Sequence, residues 1–240
     1  MLWLIENVEQ ITLSDVVPLF PCLSEARREK LASFRHEPSA VQSALAELLL
    51  RHALREEYGL NELPAIETGK KGKPFFPDRP DIQFNLSHCK TAVACALAAA
   101  PVGVDVQEYK PLCRAARPLA AADERHSSKE TRRDKQCLSA PPIYRILSEP
   151  ERAWVEAGET PAEQDRRFTA VWTCKEAYGK KTGDGFLYDL RSTCFIPDKA
   201  SWQQYDSLFF RLSREEYELT LCADQPMPWI QVCFEDISMR

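Results

Sequence analysis

The sequence predicts an α+β fold, and three observations carry that prediction. Short apolar or alternating runs of strand length occur in both halves: Leu2–Ile5, Ile82–Leu86, Thr91–Ala98 and Val102–Val106 early, and Thr193–Ile196, Leu208–Leu212, Tyr217–Cys222 and Trp229–Phe234 late. Two segments instead place apolar residues at helical spacing, one in each half. The two kinds do not alternate regularly, which separates the chain from a repeating β-α-β architecture.

Taken in order, Leu2–Ile5 reads as a strand. Ser24 can cap a helix that runs to about Phe34, with Glu25 in its first turn. Arg27 and Lys30 are three apart on it and share a face, by default a solvated one. Pro38 suits the start of the next helix, whose apolar stripe is Val41, Ala44, Leu45, Leu48 and Leu49, and Gly59 is its stop. Gly69-Lys70-Lys71-Gly72-Lys73-Pro74 is a basic turn. It is either a plain solvated loop or a phosphate cradle of lysines and free backbone N–H groups. Three strands follow, with Ser87-His88 at the end of the first.

Lys110–Pro142 differs in kind: rich in Arg, Lys, Ala and Ser, and poor in large apolar residues. It reads as a linker or insertion. The expected organisation is therefore residues 1–109, a connecting 110–142, and residues 143–240. Ser148 with Glu151 three residues later forms a capping box that opens the second half.

The organising stretch is Phe168–Phe186, FTAVWTCKEAYGKKTGDGF. On a helix, Phe168, Val171, Trp172 and Lys175 share one face, with the stem of Lys175 packing inward. Glu176 and Lys180, four apart, meet on its flank before the glycine stop. Alone, this is an ordinary surface ion pair. Asp105, within the apolar strand Gly103-Val104-Asp105-Val106-Gln107-Glu108, is either solvated at a strand end or a ligand for a hard cation. Mg²⁺ favours one or two carboxylates, and Asp105 with Glu176 could supply two. Ser87 beside His88 does not make a hydrolase, because adjacent strand residues point apart and no GxSxG elbow is present. His88 is either a packed histidine or a phosphate contact.

The totals exclude several classes. A net charge of −5 argues against general nucleic-acid binding. The 44% hydrophobic content suffices for a sizeable core. Nine cysteines, an odd number with no CxxC pair, fit a reduced cytoplasmic setting. Acids in MLWLIENVEQ argue against a signal peptide, and no apolar run reaches membrane-spanning length.

Together, GKPF (72–75), FNLSH (84–88), GVDVQ (103–107) and WTCKEAYGK (172–180) resemble the 4′-phosphopantetheinyl transferases, specifically the larger, surfactin-synthetase-type group. The resemblance implies two similar α+β subdomains related by a pseudo-twofold axis, each a small antiparallel three-stranded sheet with a long helix. Coenzyme A would lie between them, and a monomer is expected. The implied activity is transfer of phosphopantetheine from coenzyme A to a serine of an acyl or peptidyl carrier protein, releasing 3′,5′-ADP. By the same resemblance Asp105 and Glu176 are magnesium ligands, joined by Gln107, and Lys180 lies near the diphosphate. Lys73, Ser87 and His88 contact nucleotide and phosphate, while Arg27, Lys30 and Ser43 hold the adenosine end. Two positions depart from the family pattern: Gln107 where Glu is common, and Gln42 where Arg is common. Gln107 motivates a second reading, a non-catalytic coenzyme A or carrier-protein binding module.

Overall fold

The computed structural model describes residues 1–112, 146–184 and 190–238. Most of the expected connecting segment 110–142 lies outside the described residues, as do Gly185 and Phe186 of the organising stretch.

The first half opens with β1 (Leu2–Glu6), α1 (Leu13–Val16) and α2 (Glu25–Ala32). Ser24 caps α2, its side chain accepting from the Arg27 N–H. The 22-residue α3 (Glu37–Tyr58) carries Pro38 in its first turn and stops at Gly59, which takes a φ of 67° that favours glycine. A short hairpin, β2 (Glu67–Thr68) and β3 (Pro74–Phe75), brackets the basic turn. Strands β4 (Gln83–His88), β5 (Ala92–Ala98) and β6 (Gly103–Glu108) follow. Ser87 and His88 are thus inside β4.

In the second half, α4 (Glu149–Glu156) begins at the expected Ser148/Glu151 capping box. The 22-residue α5 (Pro161–Thr182) is capped by Thr160 and stops at Gly183, φ 77°. It starts a full two turns before Phe168. Strands β7 (Ser201–Gln204), β8 (Ser207–Ser213), β9 (Tyr217–Ala223) and β10 (Trp229–Gln231) precede α6 (Phe234–Ser238). Thr193–Ile196, expected as a strand, is not one. Its backbone is satisfied by side chains instead: the Phe195 N–H donates to Glu151 Oε1, the Cys194 N–H to the Tyr205 hydroxyl, and Gln204 Nε2 donates to the Cys194 carbonyl.

Two four-stranded sheets result, ordered β10-β1-β5-β4 and β6-β9-β8-β7. The expected three strands per sheet become four because the halves exchange strands. β6 pairs antiparallel with β9, and β10 pairs parallel with β1, so the first sheet is mixed. Alternation sorts the side chains into layers. Trp3, Ile5, Val93, Cys95 and Leu97 face α3 with Leu45 and Leu49. Leu2, Leu4, Ala92, Ala94 and Ala96 face the other sheet through Val104, Val106, Leu219 and Leu221. Cys222 and Phe209 face α5 through Cys174 and Ala177. Each sheet thus carries one long helix on its outer face. No described helix is long and apolar enough to cross a membrane.

Candidate active site

The site exists because α5 lies directly on β6. A Cβ on Gly103 would sit 2.0 Å from the Ala177 carbonyl oxygen and 2.5 Å from the Lys181 nitrogen, so only glycine permits the contact. Residues 176 and 180 flank that contact on the helix. With a strand period of two, Asp105 and Gln107 leave β6 on the Gly103 side, while Val104 and Val106 are buried between the sheets.

The open edge of β6 is not joined to β4 by a ladder. Two β4 side chains stitch it instead: Asn85 Oδ1 accepts from the Val104 N–H at 2.8 Å, and Ser87 Oγ accepts from the Val106 N–H at 3.1 Å. This fixes the strand that carries Asp105 against the neighbouring sheet, and it explains why Asn and Ser alternate with apolar residues in FNLSH.

Asp105 is 2% exposed. Its Oδ1 accepts from Lys180 Nζ at 2.7 Å and from Ser87 Oγ at 3.0 Å. Lys180 also donates to the Val104 carbonyl at 3.0 Å. The ion pair expected within the helix, Glu176 with Lys180, is therefore replaced by a pair across the fold. Glu176 Oε1 and Asp105 Oδ2 are both buried without a hydrogen-bond partner. Glu176 is pushed up to about 7, first by burial and then by the negative charge of Asp105, with Lys180 opposing. Two donor-less carboxylate oxygens, on groups near enough for the charge of Asp105 to act on Glu176, suit a hard divalent cation, which prefers oxygen ligands and few carboxylates. Gln107 lies two residues further on the same strand face and could add a carbonyl oxygen. Among the described residues no cluster of three or more His, Cys, Asp and Glu forms a metal site, so water or substrate oxygens would complete the shell.

Cations line one side. The His88 ring reaches solvent at the end of β4, and its pKa is lowered by partial burial and then by Lys180, Lys30 and Arg27. The charges on α2 and α5 thus both disfavour the protonated ring. Arg27 is held from beneath: its Nε donates to Glu47 Oε2 at 3.1 Å and its Nη1 to Ser43 Oγ at 2.8 Å. Ser43, for which the resemblance implies a place at the adenosine end, is 2% exposed and accepts from Arg27. Glu47, 1% exposed, also accepts from Ser24 and pairs with Arg51. Sequence reading passed over Glu47, although a lone acid inside the stripe AVQSALAELLL signals a buried cationic partner.

Lys73 sits at the foot of the site. Its Nζ donates to the carbonyls of Val102 at 3.2 Å and Lys181 at 3.0 Å, tying the end of α5 to the start of β6. Burial, and then the charge of Lys181, lower its pKa to about 8. A cavity of about 420 Å³, lined by Lys90, Glu108, Tyr109, Asp165 and Arg166, opens beyond the far end of β6 and includes neither Asp105 nor Glu176.

A buried acid pair thus lies beside Lys180 where the two sheets meet, with His88 at the end of the neighbouring strand. The model of the 4′-phosphopantetheinyl transferase superfamily matches residues 101–222, which span β6, α5 and β9. The chain belongs to that superfamily. Among curated relatives, 4′-phosphopantetheinyl transferase psf-1 of Bacillus pumilus is 34% identical over 175 residues, covering 72% of this chain and 64% of that protein. A 4′-phosphopantetheinyl transferase of Bacillus subtilis is 27% identical over 224 residues, covering 87% and 85%. 4′-Phosphopantetheinyl transferase Sfp of Bacillus subtilis (strain 168) is 29% identical over 171 residues, covering 71% and 64%. The chain thus matches less than two thirds of the length of two of these three relatives.

Proposed function

We propose that this protein transfers 4′-phosphopantetheine from coenzyme A to a serine of an apo acyl or peptidyl carrier protein, releasing 3′,5′-ADP in a magnesium-dependent reaction. The observation that carries this reading is the pair of partnerless carboxylate oxygens, Asp105 Oδ2 and Glu176 Oε1, beside the ammonium of Lys180. Asp105 and Glu176, with Gln107, would hold Mg²⁺, which when bound offsets charge on the diphosphate. Arg27 and Lys30 supply positive charge for the nucleotide end, and His88 stands between them and Lys180 for the diphosphate. The carrier serine oxygen attacks the β-phosphorus, and the bond to the bridging oxygen breaks. Catalysis of this kind is mostly positioning and charge neutralisation. Lys180 stabilises the leaving phosphate oxygen and can hand it a proton. Glu176, or a water beside it, is the base proposed for the serine proton.

Intact-mass measurement of a panel of apo carriers with coenzyme A tests the reading. At millimolar magnesium, at least one carrier gains the phosphopantetheine mass. If none does while coenzyme A still binds, the non-catalytic module prompted by Gln107 replaces it.

A further inference from the structure

Five residues before Lys180, the same helix carries a second acid–lysine pair with no place in the reaction. Lys175 and Glu151 are both 0% exposed, with Lys175 Nζ 2.9 Å from Glu151 Oε1. Every proton of that ammonium has an acceptor: Glu151, the Leu190 carbonyl at 2.5 Å and the Thr193 carbonyl at 2.8 Å. The carboxylate is equally complete. Its Oε2 accepts from the backbone and hydroxyl of Ser148, and its Oε1 also accepts from the Phe195 N–H. One buried pair therefore ties α5 to the first turn of α4 and to the 190–195 loop.

Such a pair adds little to stability over apolar side chains of similar volume, because desolvating two charges offsets their attraction. What it supplies is register. Only one rotation and one axial position of α5 satisfy all these bonds. Successive side chains leave a helix about 100° apart, so fixing Lys175 also fixes the direction of Glu176, the next residue.

We propose that Lys175 and Glu151 are positioning residues that set the rotation of α5, so that Glu176 and Lys180 face Asp105. The proposal rests on the transferase reading for its kinetic arm and on the carboxylate pair for its binding arm. Ser87, Asn85 and Gly103 hold β6 in place; the buried pair does the same for the helix opposite.

The test compares wild type, Glu151→Gln, and the apolar double replacement Lys175→Met/Glu151→Leu. Thermal melting, kcat and KM for coenzyme A, and Mn²⁺ binding by electron paramagnetic resonance are measured on each. The double variant is expected to keep a cooperative melt, at a midpoint below wild type because the Ser148 and Phe195 N–H groups lose their acceptor, and a KM for coenzyme A within threefold. Its kcat falls at least thirtyfold and its Mn²⁺ affinity at least fivefold. Glu151→Gln falls between the two. A folded double variant or Glu151→Gln with wild-type kcat and Mn²⁺ affinity overturns the proposal. So does a double variant that cannot fold, since the pair is then needed for the fold itself. Wild type that binds Mn²⁺ but modifies no carrier removes the transferase reading and leaves the binding arm to decide the positioning role.

Discussion

Two of the three lysines of helix α5 are used in opposite ways. Lys175 is sealed, with each hydrogen accepted and its partner Glu151 saturated from three directions. Lys180 remains 26% exposed, and its partner Asp105 keeps one oxygen without a donor. The same two residue types make a finished joint in one place and an unfinished one in the other. An incomplete set of bonds inside a protein is costly, and it is tolerated where a ligand completes it.

That contrast can be broken by removing charge on the unfinished side. Glu176→Gln is expected to lower kcat by about a hundredfold to a thousandfold, the usual loss when one group acting on developing charge is removed. It should leave thermal stability unchanged or raised, because the carboxyl is raised to about 7 and faces Asp105. The sign follows from linkage. A carboxyl raised from 4.5 to about 7 makes the metal-free protein lose stability as pH climbs from about 4.5 to 7. The Gln variant should flatten that part of a melting-temperature profile. A matching loss of stability in Glu176→Gln would mean that the unfinished side is ordinary scaffold.

Gly103→Ala strikes both sides together. The methyl would overlap the Ala177 carbonyl, so α5 must lift from β6, at a cost of about 1–3 kcal/mol or more. Denaturant melts and metal binding should both suffer. Ser87→Ala is narrower. It leaves the Val106 N–H without its acceptor and Asp105 without one donor, and about 1–3 kcal/mol is expected by denaturant titration. The smallest effect concerns Lys73, whose pKa is lowered from 10.5 to about 8. The unfolded chain holds that proton more tightly, so stability contributed here rises between about pH 8 and 10.5. Lys73→Met should remove the rise in a series of melts across that range.

Much of this was legible beforehand where the signal is local. Ser24, Gly59, the Ser148/Glu151 box and Gly183 mark helix ends through chemistry that acts within four residues. The four ordered motifs pointed to Asp105, Glu176 and Lys180, and the fold does bring these together. Local rules failed where a partner is remote. The i,i+4 rule assigned Lys180 to Glu176, because nothing within the helix announces a strand 75 residues away in sequence. Thr193–Ile196 has strand composition, yet side chains from α4, β7 and the β7–β8 turn take its backbone bonds. Thr160 was overlooked because polar residues separate it from the apolar stripe. Alternation placed β6 at Val102–Val106, within two residues of the observed Gly103–Glu108, but it is silent about which sheet a strand joins.

The strand exchange has a consequence for how the molecule holds together. β6, early in the chain, finds its partner at 217–222, and β1 finds one at 229–231. The two halves are clasped like interlocked hooks rather than joined by their tether alone. A single backbone cut between residues 113 and 145 should leave two pieces that travel as one particle in native gel filtration and part only in denaturant. The carboxylates that face each other across β6 and α5 come from opposite sides of that cut.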